Sequence, residues 1–452
     1  MADNSITQAG GSSLVIGDHP RTRRRTWGFR FSLLMIAWIC VEGAAWLLLH
    51  LLLEGGVKAV RLHQESYRFA DSHSPQQAQP SMQTQTFHPY VGWVRNPEIV
   101  KGEDYWGTHL TTSRYGFLDT TEGIHTRGPD RLIVGISGGS MAFQMSCAGA
   151  DVLRRTLKEV PAFRDREIII VRLAQSAYKQ PQALFSLNYY LLLGAEFDIV
   201  INLDGYNEIA LAAAENFPLH VAIDYPQGWF LRTLDFVDPR DADVSLRVFE
   251  IRGMRRRNAL AALRSPWRFL PTHCLLWYSR EVRLRQELVD QQIGLSDNAR
   301  QRGGAFIHTG PHPRAVTTDA ALVECVRIWK QSSLQMHRLC EASDILYVHA
   351  IQPNQHDPGS KPLTDKEQEM MLPGSANNAH RMYAPLIPLG YPKLRDAGRA
   401  LREAGVRNID LTQLFAQTSE SLYVDSCCHV NPTGSEMLAA ALAEYVVEQL
   451  PE

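Results

Sequence analysis

Cysteine is scarce in this chain, seven in 452 residues and irregularly spaced. That density excludes a disulfide scaffold, and no second Cys/His pair has the spacing of a zinc finger or ribbon. A basic excess is also missing. Against 46 Lys+Arg stand 48 Asp+Glu, for a formal net charge of −2, so the positive footprint that nucleic-acid binding needs is absent. No internal repeat is found. Only one apolar run is long, which excludes a polytopic membrane protein. With 45% hydrophobic and 21% charged residues, wholesale disorder and a collagen-like repeat are excluded as well. A chain of this length buries a substantial core without staples.

The single long run is FSLLMIAWICVEGAAWLLLHLLL, Phe31 to Leu53, about the ~20 residues that cross a hydrocarbon core as a helix. Arg21, Arg23, Arg24, Arg25 and Arg30 precede it; only Lys58, Arg61 and Arg68 follow closely. The positive-inside rule then puts residues 1–30 in the cytoplasm as a tail, 31–53 in the membrane, and everything beyond outside it. A cleavable signal peptide has an apolar region of only about 7 to 15 residues, so an uncleaved anchor in the inner membrane is expected. Glu42 inside the run either pairs with a partner helix or is tolerated as a neutral acid. Residues 54–86, ending in the Ser/Gln/Pro-rich DSHSPQQAQPSMQTQT, read as a linker. Residues 87–130 carry HPYVGW and SRYGFL and read as a small extension packed on the main domain.

From Arg131 onward short apolar runs alternate with helical patterns, the signature of a parallel sheet with helices on both faces. Five strands are expected: Leu132–Ile136, Ile168–Leu173, Asp198–Leu203, Ile345–Ala350 and Val406–Leu411. Helices are expected at Pro181–Leu193, Asp319–Ala342 and Gly434–Gln449. The fold class is a doubly wound, flavodoxin-like α/β domain over 131–452. The long third connection marks an insertion at about 216–302, rich in Arg and Trp. Three roles fit it: a seat on anionic lipid, a lid, or a solvated helical face.

Ligands of such sheets bind beyond the carboxyl ends of the strands. GISGGSMAF places Ser140 at a glycine-flanked strand-to-helix turn. AQSAYKQPQ follows the second strand, DGYNE the third, and YVDSCCHVNPTG the last. Gly135-Ile136-Ser137-Gly138-Gly139 also fits G-x-S-x-G, but its serine follows the first strand, so Ser137 reads as a structural turn residue. No Lys follows these glycines and G-x-G-x-x-G is absent, which argues against a nucleotide.

Ser140 in GGS, Gly205-Tyr206-Asn207-Glu208, and Asp425 with His429 ahead of a terminal helix together resemble the SGNH (GDSL-type) hydrolase superfamily. The resemblance spans about Arg131 to Leu450, interrupted by the insertion, and with the anchor is similar to membrane-anchored bacterial members. It implies a serine esterase or acyl (acetyl) transferase of the cell envelope, acting on an acylated small molecule or polysaccharide, with no metal or organic cofactor. Serine needs a base, and the base needs an orienting carboxylate; Ser140, His429 and Asp425 take those roles. Oxyanion donors would be the Ser140 and Ala177 backbone N–H groups and the Asn207 amide. Gly205 and His356 are expected substrate contacts.

Two positions depart from the family. Ala177 stands where the family has glycine, at about 1–2 kcal/mol if the backbone there is left-handed. Asp425 and His429 are four apart instead of three. On these departures rests a second reading, a non-catalytic envelope protein that binds polysaccharide or scaffolds a complex; the Ser140–His429 distance discriminates the two. Adjacent Cys427 and Cys428 could form a strained vicinal disulfide or pair elsewhere in an oxidising compartment; the sequence leaves their redox state open.

Overall fold

The computed structural model describes residues 20–72, 84–105, 107–233, 241–301, 306–372 and 382–450. Two helices come first, α1 (Pro20–Leu52) and α2 (Gly56–Ser72). Five short strands follow: β1 (Gln85–His88), β2 (Gly92–Arg95), β3 (Gly102–Tyr105), β4 (Thr108–Thr112) and β5 (Leu118–Asp119). The body then runs β6 (Arg131–Gly138), α3 (Ser140–Ala148), α4 (Ala150–Glu159), β7 (Glu167–Arg172), α5 (Gln182–Leu192), β8 (Ile199–Asp204) and α6 (Tyr206–Leu211). After α6 come α7 (Trp229–Arg232), α8 (Ala242–Arg264), α9 (Pro271–Gln301) and α10 (Phe306–Thr309). The body resumes with α11 (Thr318–Glu341), β9 (Leu346–Ile351), α12 (Asp365–Met370), α13 (Ile387–Glu403), β10 (Arg407–Asp410) and α14 (Pro432–Glu448).

β6 to β10 form one five-stranded sheet in the order β10-β9-β8-β6-β7, and every pairing in it is parallel. A strand covered on both faces must be apolar at successive positions, not alternate ones. That is why LIVGI and DIVINL were readable as strands: Leu132, Ile133, Val134 and Ile136 are at most 1% exposed. Burying each such side chain contributes roughly 1.5–3 kcal/mol. All five strands run the same way, so the segments after Gly138, Arg172, Asp204, Ile351 and Asp410 emerge along one edge.

The extension is clamped to that edge. Buried Arg172 donates from its backbone N–H and its Nη1 to Asp119, both at 2.8 Å, and from Nη2 to Ser146 O at 2.7 Å. Tyr178 packs edge-on to Trp93 and donates to Trp93 O at 2.5 Å. Gln175 donates to Gly116 O and Gln182 to Val91 O. The segment after β7 is therefore held from above by the small strands.

Residues 54–86 are not a linker throughout. Gly56–Ser72 is helical, and Gln85 and Thr86 already belong to β1. Ala59, Val60, His63 and Gln64 are buried, a stripe at helical spacing, and α2 packs against α1, α8 and α9. Polar composition misled the reading where burial decides the conformation. Residues 73–83 of that stretch, 1–19 of the expected tail, and 234–240 and 302 of the expected insertion lie outside the described residues.

Helices α8 and α9 lie antiparallel, joined at residues 265–270 and cross-linked by Arg247 to Glu287 (2.6 Å) and Arg255 to Glu281 (2.6 Å). Helix α1 contains a 24-residue segment, Phe29–Leu52, of mean hydropathy 2.0, long and apolar enough to span a membrane or serve as a signal sequence. Its most apolar stretch is only 17% buried.

Candidate active site

Ser140 is the first residue of α3, directly after β6. The turn that puts it there depends on Gly138, whose φ is +130° and whose added Cβ would lie 2.1 Å from Leu203 O. No other residue fits. Ser140 is 9% exposed, and as the first helical residue its N–H has no partner in the preceding turn. Ser137, the other serine of the glycine-rich stretch, is wholly buried within β6.

His429 approaches from the opposite end of the sequence. Its Nε2 lies 2.7 Å from Ser140 Oγ and its Nδ1 lies 2.5 Å from Asp425 Oδ2. With the proton on Nδ1 donated to the carboxylate, Nε2 accepts the serine O–H. The extra residue between Asp425 and His429 is absorbed by a tight turn. Asp425 Oδ1 accepts the backbone N–H groups of Cys427, Cys428 and His429 at 2.9, 3.1 and 3.2 Å. Below the turn, Val424 N–H donates to His429 O, and Tyr423 bridges Val430.

Burial disfavours the charged form of both side chains, yet their mutual interaction wins. Asp425 is held below the usual carboxylate range by its hydrogen bond to His429, with the backbone donors adding to it. Burial would lower His429, but the hydrogen bond and charge of Asp425 outweigh it and raise the imidazole to about 9.

The expected oxyanion donors converge in part. Ala177 has φ +63°, so this alanine does sit in the left-handed region. Asn207, 8% exposed on α6, donates from Nδ2 to Tyr178 O at 2.7 Å, which ties α6 to the residue following Ala177 and leaves one amide hydrogen uncommitted. An added Cβ on Gly139, beside Ser140, would lie 2.3 Å from Asn207 Nδ2. Ser140 and Asn207 thus stand on neighbouring helix N-termini, where the helix dipole favours negative charge.

Gly205 caps α6 with φ +126°, and its N–H donates to Glu208 Oε2 at 2.8 Å. Its part is to turn the chain. His356 is not free to meet a substrate through Nε2, which lies 2.8 Å from Ser426 O. It belongs to a brace that sequence reasoning missed: Asn354 donates to Cys427 O at 3.0 Å and Gln355 to Asp425 O at 2.9 Å. Three consecutive side chains beyond β9 thus hold three carbonyls of the Asp425–His429 turn. Carbonyl acceptors leave no trace in composition, though the position after a strand end was a signal.

A second network lies beneath Asn207. Fully buried Asp204 accepts from Trp329 Nε1 (2.6 Å), Asn202 Nδ2 (2.7 Å) and Gln180 Nε2 (3.0 Å), with His349 Nε2 at 2.8 Å. Burial and then the charge of Asp204 raise Glu208 to about 8, while Glu208 Oε1 accepts Gln180 N–H at 2.8 Å. These groups fix the starts of α5 and α6.

Cys427 and Cys428 are free thiols, as are the other five cysteines; Cys427 Sγ instead donates to Tyr206 Oη at 3.2 Å. Among the described residues no group of three or more His, Cys, Asp or Glu side chains is placed to hold a metal. A cavity of about 520 Å³ is walled by His88, Tyr90, Gln182, Phe185, Asp224 and Trp229 among others. Pro181 and Gln182 at the start of α5 line it, but none of Ser140, Ala177, Asn207, Asp425 and His429 does.

No family model and no curated protein matches the chain. Among solved structures, the lipase/acylhydrolase from Enterococcus faecalis aligns over 71% of this chain and 97% of its own, at 12% identity and a TM-score of 0.31.

Proposed function

We propose that this chain is a membrane-anchored serine acyl hydrolase or acyltransferase with a doubly wound, SGNH-type body outside the cytoplasmic membrane. The observation that carries the reading is the continuous relay from Asp425 through His429 to Ser140, at 2.5 and 2.7 Å. Ser140 Oγ attacks an ester carbonyl while His429 Nε2 takes its proton. The oxyanion is stabilised by the N–H groups of Ser140 and Ala177 and by Asn207, each good donor being worth about 3–4 kcal/mol. Collapse breaks the ester bond, His429 returns the proton to the leaving alcohol, and acyl-Ser140 remains. Water or a sugar hydroxyl then attacks by the same steps, regenerating the serine.

The substrate class we favour is an O-acylated carbohydrate of the cell envelope. That choice rests on the resemblance of the sequence motifs. The cavity lined by Tyr90, Phe185, Trp229 and Asp224 has the aromatic and polar make-up that suits apolar ring faces and hydroxyl edges, though none of the relay residues lines it. Of the two departures behind the non-catalytic reading, the wider Asp425–His429 spacing still closes a hydrogen bond, while Ala177, at φ +63°, carries the backbone cost of a left-handed alanine. The N-terminal helix we read as an uncleaved anchor, N-terminus inside.

The test is labelling of the full chain with a fluorophosphonate probe, followed by acyl-ester hydrolysis. We expect labelling of the parent and its loss in Ser140→Ala and His429→Ala. A well-folded parent that resists the probe, or an alanine variant as active as the parent, overturns the reading.

A further inference from the structure

Two thiols stand in the turn that carries the relay, and the reaction described above uses neither. Of the seven cysteines, Cys427 and Cys428 alone are neighbours in sequence, and both are free. Cys428 is 1% exposed, whereas Cys427 is half-buried, with Sγ 3.2 Å from Tyr206 Oη. The peptide between them is held on both sides. Its carbonyl, on Cys427, accepts from Asn354 Nδ2 at 3.0 Å, and its N–H, on Cys428, donates to Asp425 Oδ1 at 3.1 Å. The N–H groups of Cys427 and His429 complete the grip on that oxygen. The orientation of one peptide plane therefore governs both the carboxylate and the approach of the chain to His429.

The two thiols differ in the sense that disulfide exchange requires. A hydrogen bond from Cys428 outweighs burial and holds the Cys427 thiol below its usual pKa. The same bond, together with burial, pushes the Cys428 thiol well up. Because the thiolate is the form that attacks, half-buried Cys427 meets an oxidant first and Cys428 resolves the adduct from behind. Across a trans peptide, neighbouring Cα atoms lie only about 3.8 Å apart, short of the roughly 4.4–6.8 Å of ordinary disulfides. A bond between such neighbours is strained, and strained disulfides are the easily reduced, regulatory ones.

We propose that Cys427 and Cys428 form a reversible redox site: a disulfide between them turns the relay off, and its reduction turns the relay on. Cys427 Sγ attacks one sulfur of a small-molecule disulfide and releases the other half as a thiol. Cys428 Sγ then attacks Cys427 Sγ in the mixed disulfide and expels the second half. The pair gives up two electrons and two protons, and the reagent leaves as two thiols. To bond, the sulfurs close from hydrogen-bond contact to about 2.05 Å, in a ring that includes the peptide between the two residues. Closing that ring turns the peptide plane away from Asn354 and Asp425, and His429 loses the carboxylate that orients it. The effect on turnover rests on reading Ser140 as the nucleophile.

The experiment equilibrates the full chain with oxidised glutathione or with dithiothreitol, then measures fluorophosphonate labelling and ester turnover. Free thiols are capped with iodoacetamide before digestion with trypsin, which releases residues 408–452, a peptide whose only cysteines are this pair. In the oxidised sample that peptide should carry neither cap nor glutathione. Labelling and turnover should fall on the order of 100-fold, the cost of misplacing a catalytic group by about 1 Å, and dithiothreitol should restore both. Cys427→Ser should behave alike in the two buffers; recovery and peptide mass are read on the parent, so neither depends on a variant folding. Thiols that stay free, or glutathione adducts in place of the disulfide, overturn the site. A disulfide that leaves an active parent unchanged, or a loss of labelling that Cys427→Ser shares, overturns the switch alone. A reduced parent inert to the probe overturns the serine reading and the switch with it.

Discussion

Ser140 and His429 are 289 residues apart in the chain, yet Oγ of one lies 2.7 Å from Nε2 of the other. The approach is made by two rigid elements. Ser140 rides on the end of β6, and His429 sits on a turn closed by its own backbone and braced by Asn354, Gln355 and His356.

Replacing Asp425 by asparagine tests the relay without dismantling the turn. The new amide oxygen still accepts the three backbone N–H groups, but its NH₂ cannot accept the proton on Nδ1, so the wrong imidazole tautomer is favoured. We expect ester turnover to fall on the order of 10⁴-fold with an unchanged far-ultraviolet circular dichroism spectrum. Turnover within about tenfold of the parent would assign the orienting role elsewhere.

The pH profile follows from the same pair. His429 must be neutral to accept the serine proton, and Asp425 raises its pKa to about 9. Below that pH the imidazolium dominates and cannot act as base, so kcat/KM should rise with pH and reach half its plateau near 9. A half-plateau near 6.5, the ordinary value, would mean that Asp425 does not control the base. Folding stability runs the other way. The favourable contribution of the raised pKa is fully present below about 6.5 and is lost as pH rises through about 9.

Ala177→Gly should stabilise the chain. Relief of a left-handed alanine is worth about 1–2 kcal/mol, partly offset by the greater freedom of glycine in the unfolded chain, about 0.4–1 kcal/mol. A net gain of roughly 0.5–1 kcal/mol should appear as a higher denaturant midpoint, with esterase activity retained. A destabilised variant would show that the alanine methyl packs favourably enough to outweigh its backbone.

Asp204→Ala should be among the most destabilising single changes in the body. It leaves Trp329, Asn202, Gln180 and His349 without their shared acceptor in a fully buried site, at about 3–5 kcal/mol if one partner of a buried pair is removed. Urea unfolding reads this directly, and a loss under about 1 kcal/mol would mean that water replaces the carboxylate.

How far these features could be read from sequence depends on the range over which their causes act. The five strands were legible because each is a short continuous apolar run, and Ser140, Asn207 and His429 because each stands in a distinctive segment beyond a strand. The Asp204–His349 contact was not legible. It arises from the pairing of β8 with β9, which sets Asn202 opposite His349, and nothing local announces that register. Helix α2 carried a usable signal in Ala59, Val60, His63 and Gln64, but the polar tract downstream outweighed it.

The Asp119–Arg172 pair also sets where the protein can be divided. A fragment begun at Arg131 would contain every strand of the parallel sheet and every member of the relay. It would also contain a buried guanidinium with no counter-ion, and Tyr178 and Gln175 without the carbonyls of Trp93 and Gly116. The smallest self-sufficient piece is therefore larger than the sheet. Any recombination, truncation or fusion that respects only the sheet's borders cuts through the support of its second strand.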